Sequence, residues 1–367
     1  MKLELSIQTS DPVHKQIENF LRREITSGQL RAGTRLPPTA DLARQWGVDF
    51  KAIQNAMARL VSEGLISRKP RRGTIVNAKN TRQTIGLLVG ADLMNECHHF
   101  DRALYKALTH EIFSAYRRVL RPLLYDGLNT VFDEPTENNK HRQTRLANDL
   151  RDKYLNGVIE ISLASKIHAI GKKNNLPYAC YRSRQNEADV IIDYRQFTRE
   201  LICYLHKRDA RRIMYLRLKN DSRADLDGMA EAVHVLQMPE PEIFQWAEKW
   251  KNGAELERMV FAQTLRLIEK WRQSGQWPQA LIIADDIAAC GAAKAFLSAG
   301  VHVPERLILA CLANQGVELY YGMPVIAYEI SPQRIAHELL AVLQRRMKNA
   351  AMPVLPIKIG GKIMEKR

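Results

Sequence analysis

The stretch that decides the fold is TADLARQWGVDFKAIQNAMARLVS, residues 39–62. Thr39 can cap a short helix, Ala40 to Trp46, which Gly47 closes; Asp49 can cap a second, Phe50 to Ser62, which ends before Gly64. Two short helices joined by Gly47-Val48-Asp49 have the length and turn chemistry of a helix-turn-helix. In the second helix Ile53, Ala56, Met57 and Leu60 form one apolar stripe, while the opposite face offers Lys51, Gln54, Asn55 and Arg59. Cations and amides on one face are the groups that read major-groove base edges and grip phosphates.

Upstream, Asp11-Pro12 opens a helix in which Val13, Ile17, Phe20, Leu21 and Ile25 repeat at helical spacing up to Ser27-Gly28. Downstream, Leu65 to Arg68 and Thr74 to Val76 are β-prone runs flanking Lys69-Pro70-Arg71-Arg72-Gly73, a hairpin wing tipped with cations. Residues 1–80 carry 14 Lys/Arg against 7 Asp/Glu, so nearly half of the chain's net charge of +15 sits in its first 80 residues. That concentration points to a polyanionic partner. The expected DNA contacts are Thr39, Lys51, Gln54, Asn55, Arg59, Arg71, Arg72 and Gly73.

The order from Pro12 to Val76 resembles the GntR-type winged-helix domain over almost its full length. Gln16-Ile17, Leu36-Pro37, Leu42-Ala43, Gly47-Val48, Ala56, Leu60, Glu63-Gly64-Leu65-Ile66 and Gly73-Thr74 fall where that family has them. The departures sit at the reading positions. Ala40, Asp49-Phe50 and Gln54 stand where the family usually has Arg, Ser-Arg and a second recognition-helix Arg. The resemblance therefore implies DNA binding without specifying an operator.

Residues 77–83 are polar and aperiodic, which reads as a linker between a domain of residues 1–76 and one of 84–367. After the linker, apolar strands alternate with helices, the signature of parallel sheets in an α/β domain. The strands expected are Thr84 to Val89, Arg121 to Tyr125, Gly157 to Ile161, Tyr178 to Tyr181, Val190 to Asp193, Ile213 to Leu216, Leu281 to Ile283 and Leu307 to Ala310. About 285 residues suit two lobes better than one; the division expected is 84–192 with 331–348, and 193–330 with 349–367. The five cysteines form no CxxC pair, which argues against a disulfide framework and a structural zinc. Cys97-His98-His99 reads as a loop or helix entry rather than a metal site. No phosphate loop, dinucleotide fingerprint or nucleophile elbow follows any strand, so an enzyme is disfavoured and no cofactor is expected. No stretch is apolar enough to span a membrane and the first residues do not form a signal peptide, so a cytoplasmic location is expected.

Residues 278–291, PQALIIADDIAACG, with Gly300 to Pro304, resemble the LacI-type effector domain, a periplasmic-binding-protein-like fold. In that family a strand ends in an acidic pair and a Gly follows five residues after the second acid. Leu176-Pro177, Val190 to Asp193, Met323-Pro324-Val325 and the closing Val354 to Ile359 run match in order. Carboxylates at a strand's C-terminal end face the crevice where α/β proteins bind ligands, and one can accept two hydroxyl hydrogen bonds from a polyol; the other reading is that Asp285 or Asp286 caps the following helix. The resemblance implies ligand contacts from Asp286 first, then Asp285, Phe100, and Arg182 or Arg184. Asp225 stands where the family has a ligand-binding Arg, and Cys311-Leu312-Ala313 replaces its Gly-aromatic-Asp run.

The whole reads as a winged helix-turn-helix (α+β) followed by a two-lobed, periplasmic-binding-protein-like α/β sensor, an organisation similar to the arabinose-repressor subgroup. The function implied is a dimeric transcription regulator, a repressor, whose affinity for double-stranded operator DNA responds to a small-molecule effector, a sugar or sugar derivative. A regulator with a degenerate sensor and an enzyme with a DNA-binding appendage are the alternatives.

Overall fold

The structure, a computed structural model, describes residues 12–26, 29–69, 73–77, 83–93, 99–117, 119–128, 137–163, 170–181, 188–218, 223–246, 250, 253–349 and 355–366. They divide into two compact units: Met1–Ile85 with Ile112–Arg121 and Asn148–Leu155, and Gly86–Glu111 with Pro122–Ala147 and Asn156–Arg367.

The first unit holds a winged helix. Helices α1 (Val13–Thr26), α2 (Thr39–Trp46) and α3 (Phe50–Ser62) pack beside a small antiparallel sheet in the order β1-β3-β2, built from Arg35–Leu36, Gly73–Val76 and Ile66–Lys69. The apolar stripe of α3 is fully buried against Ile17 and Leu21 of α1 and Leu42 of α2, with Ile66 and Val76 closing the core from the wing. Gly47 closes α2 in the left-handed conformation, φ 64°, its N–H donating to the Ala43 carbonyl. Asp49 caps α3 by accepting from the Lys51 N–H at 2.7 Å. The expected cap at Thr39 is corrected. Pro38 holds the N-cap position with no side-chain bond, Thr39 is already helical, and its Oγ1 accepts from Arg68 Nη2 at 2.9 Å.

Two six-stranded sheets follow. The first runs β14-β8-β7-β6-β4-β5, comprising Ile357–Ile359, Val190–Ile192, Tyr178–Tyr181, Gly157–Ile161, Gln83–Val89 and Leu120–Tyr125. The second runs β10-β9-β11-β12-β13-β15: Glu242–Gln245, Ile213–Arg217, Ala280–Ile283, Ile308–Asn314, Val325–Ile330 and Lys362–Lys366. Its strands are parallel except β15, which pairs antiparallel with β13. Every residue of β6 and β11 is buried, which is why both read as continuous apolar runs rather than alternating ones.

Helices α4 (His99–Ala115), α5 (Glu137–Arg151) and α6 (Ile170–Lys173) belong with the first sheet's strands in sequence; α7 (Tyr194–His206), α8 (Ala224–Leu236), α9 (Gly253–Ser274) and α10 (Asp286–Ser298) belong with the second. Helix α11 (Pro332–Lys348) returns to pack on β6 and β7. The α7–α8 contact is backbone-close: a Cβ on Gly228 would lie 2.0 Å from the Arg195 carbonyl oxygen.

The expectation that 349–367 belongs whole to the second lobe is corrected. β14 pairs parallel with β8 in the first sheet, and the chain then crosses to the second within two residues. Gly361 is glycine for a steric reason, since a Cβ there would sit 2.5 Å from the Glu329 carbonyl oxygen; at Gly360 the crowding atom is the movable end of the Gln196 side chain.

Candidate functional site

On α3 the polar face is open. Lys51, Gln54, Asn55 and Arg59 are exposed while Ile53, Ala56, Met57 and Leu60, one step round the helix, are not. Burying the stripe fixes which side of α3 faces out. Arg59 is not wholly committed to solvent, since its Nε lies 3.2 Å from Glu18 Oε1. Gly73, at φ 75°, starts β3 beside the Arg35 guanidinium, where a Cβ would come within 2.9 Å of Nε. Thr39 is tied to the wing through Arg68. Arg71 and Arg72 lie outside the described residues.

The second sheet brings a different set together at the C-terminal ends of its strands. Asp285 is the N-cap of α10: its carboxylate accepts from the Ala288 N–H at 2.8 Å. That bond separates the two acids the sequence could not. The cap role falls to Asp285, and Asp286, the first helical residue, is left with a different job. It is buried, accepts from the Ile287 N–H at 3.0 Å, and accepts from Asn314 Nδ2 at 2.8 Å. Burial, with the negative Asp285 beside it, pushes its carboxyl up to about 7. Asn314 is itself buried and its Oδ1 has no hydrogen-bond partner among the described residues. An ionisable acid and an unsatisfied acceptor side by side form a site that gains from a ligand's hydroxyl or amine donors.

Asn314 was missed because β12 was expected to stop at Ala310; it runs to Asn314, and the polar end of ILACLAN is the available signal. Arg217, at the end of β9, was missed too. Asp225 stands in α8 where the resemblance implied a lost arginine. Arg217 meets its carboxylate through Nε at 2.7 Å and Nη2 at 3.1 Å, and Tyr215 donates to it at 3.0 Å. The guanidinium absent from the helix is thus supplied by the neighbouring strand and paired. Beside Asp225 the Tyr215 hydroxyl is driven well above its ordinary range, chiefly by burial.

At the C-terminal edge of the first sheet, Phe100 in the first turn of α4 packs tilted on Tyr181, the last residue of β7, with ring centroids 5.1 Å apart. Arg182 and Arg184 lie outside the described residues. Among the described residues no group of three or more His, Cys, Asp or Glu is placed to hold a metal ion, and no helix is long and apolar enough to cross a membrane.

Comparison with known proteins finds a match for each end of the chain. The family model for bacterial regulatory proteins of the gntR family matches residues 14–76, and that of the periplasmic binding protein-like domain matches residues 202–367. The chain is 30% identical over 83 residues to the HTH-type transcriptional repressor NagR of Bacillus subtilis, covering 23% of this chain and 34% of that one. It is 31% identical over 77 residues to the HTH-type transcriptional repressor RspR of Escherichia coli, covering 21% and 33%. The chain therefore spans about a third of the length of these curated relatives. Among solved structures, the regulator CcpA of Lactococcus lactis matches with TM-score 0.57 at 16% identity over 77% of this chain and 97% of that one. A LacI family regulator of Arthrobacter sp. FB24 in complex with lactose matches with TM-score 0.57 at 14% identity over the same shares. At these identities the likeness shows the fold of the second part.

Proposed function

From a chain that joins a gntR-type helix-turn-helix domain to a periplasmic-binding-protein-like domain, we propose a one-component transcription regulator: α3 reads double-stranded operator DNA, and a small-molecule effector bound at the C-terminal edge of the second sheet changes operator affinity. The observation that carries the reading is the buried Asp286–Asn314 pair with its unpartnered acceptor. A sensor that had lost its effector would gain by replacing such a pair with apolar side chains, because an unsatisfied buried polar atom costs about 1–3 kcal/mol. The hydroxyl-rich chemistry that would satisfy it is that of a sugar or sugar derivative. That class accords with the lactose in the Arthrobacter structure; the likeness of the helix-turn-helix part to the repressors NagR and RspR supports repression as the output. The chain acts in the cytoplasm as a homodimer held by the part beyond residue 82, without catalysis of its own. Two-fold pairing presents two α3 helices to related half-sites, and effector binding shifts the population between two arrangements of the lobes.

Selection of duplexes from a random pool, followed by thermal-shift measurements with a panel of mono- and disaccharides that includes lactose, tests both halves. The expected result is one enriched, two-fold-symmetric sequence, and a sugar that raises the melting temperature and weakens binding to it. A pool that stays unenriched, or a panel in which no sugar shifts the melt, refutes the corresponding half.

A further inference from the structure

Beside the reading face lies a cluster of charge that contact with DNA does not explain. Glu63 follows the last residue of α3 and is buried. Its carboxylate accepts from Arg22 of α1 through Nη2 at 3.0 Å and Nε at 3.3 Å, and Arg22 also donates to Glu18 and, at 2.8 Å, to Asn19. One further donor and one further cation come from far along the chain and belong to the same compact unit. The Tyr154 hydroxyl donates to Glu63 Oε1 at 3.0 Å, and Arg121 Nη1 donates to that hydroxyl at 3.2 Å while standing 3.9 Å from Oε1. The Arg22 guanidinium lies over the Tyr154 ring, 4.7 Å from its centre. Burial and the neighbouring Glu63 carboxylate push the Tyr154 hydroxyl up to about 12, so it stays a donor.

Arg59, one turn before Glu63 on the same helix, stands 3.9 Å from that carboxylate and is half-exposed on the reading face. Arg59 Nε also lies 3.2 Å from Glu18 Oε1. We propose that Tyr154 and Arg121 are positioning residues for DNA binding: by satisfying Glu63 they keep Arg59 from being drawn further onto it, so that phosphates compete for Arg59 with Glu18 alone. Without them the buried carboxylate keeps only the Arg22 guanidinium, and the next cation within reach is Arg59, at i,i+4 spacing. Because Tyr154 and Arg121 lie beyond residue 84, any shift in that part of the chain that moves them redistributes Arg59 between Glu63 and DNA. The inference rests on the DNA-binding reading above.

The test uses the full chain and a mixed-sequence duplex of about 30 base pairs, with binding measured over a range of salt. Tyr154→Phe keeps the ring under Arg22 and removes only the hydroxyl; Arg121→Met removes the cation behind that hydroxyl. Each variant is expected to lose about one phosphate contact. The slope of log K against log salt becomes shallower by about 0.9, and affinity at 0.1 M salt falls by about 8-fold. Arg59→Ala should reproduce that loss, and adding Tyr154→Phe to Arg59→Ala should lose nothing more. A purely structural role for Tyr154 predicts a lower melting temperature with the salt slope unchanged. Wild-type slope in both variants, or an equal further loss in the Arg59→Ala background, overturns the proposal while leaving DNA binding intact. A wild-type chain with no salt-dependent binding overturns both.

Discussion

Replacing Asp286 by Asn separates a binding carboxylate from a structural one. In the folded chain the carboxyl titrates near 7, against an ordinary 3.8, because it is buried beside Asp285. Below pH 3.8 both folded and unfolded chains hold the proton and the group contributes nothing to the pH dependence. Between 3.8 and 7 the folded chain keeps a proton that the unfolded chain has lost. Stability therefore falls with rising pH across that window, by at most about 4 kcal/mol, and is flat above it. Asn removes the titration. Its new amide can also donate to the orphaned Asn314 Oδ1 while accepting from Asn314 Nδ2, a pairing the ionised acid cannot make. At pH 8 the Asp286→Asn chain should therefore be more stable than wild type, by at least about 1 kcal/mol after local relaxation. That corresponds to roughly 2–4 °C in Tm for a unit of this size. At pH 5 the difference should shrink, while affinity for the effector falls by about 2–4 kcal/mol, on the order of 30- to 1000-fold. Thermal melts at the two pH values and calorimetric titration with the sugar identified by thermal shift measure both. A lower Tm at pH 8 with effector affinity unchanged would make Asp286 a purely structural residue and refute the reasoning.

Gln54→Ala should weaken operator binding by about 1–3 kcal/mol and relax preference at one base pair, read by footprinting on substituted operators; unchanged preference removes Gln54 from the interface. Changing Arg71 and Arg72 together to Ala should weaken binding to all sequences and make the salt slope shallower by about 1.8, seen in salt titrations on unrelated duplexes. Asp225→Ala leaves the largely buried Arg217 without its bidentate partner and should cost about 3–5 kcal/mol in urea melts. Combining Asp225→Leu with Arg217→Met should recover most of that loss, and failure to recover it would mean the pair does more than neutralise itself.

Local chemistry wrote the winged helix into the sequence. The stripe Ile53, Ala56, Met57 and Leu60 is the buried one, Gly47 is left-handed, and Asp49 caps α3. Each of these follows from spacing or from one residue's conformational preference, which tertiary context did not override. Most of the buried strands were equally legible, since strands buried on both faces must be continuous apolar runs, although the buried Val325–Ile330 was not among those expected.

What needed the tertiary structure is pairing between distant residues. The residues alone leave open which of Asp285 and Asp286 caps the helix, and only the resemblance ranks Asp286 first for a ligand; the path of the chain from β11 into α10 gives one the Ala288 N–H and sets the other beside Asn314, 28 residues later. Asp225 reads as a departure from a family pattern until Arg217 is found opposite it. Glu63 reads as part of a helix end, yet its carboxylate is completed by Tyr154, 91 residues away. Periodicity reports which face of an element is buried because burial acts on each residue separately. Electrostatic partners are chosen by where the fold brings two side chains within about 3 Å, and nothing in either residue's local sequence encodes the other.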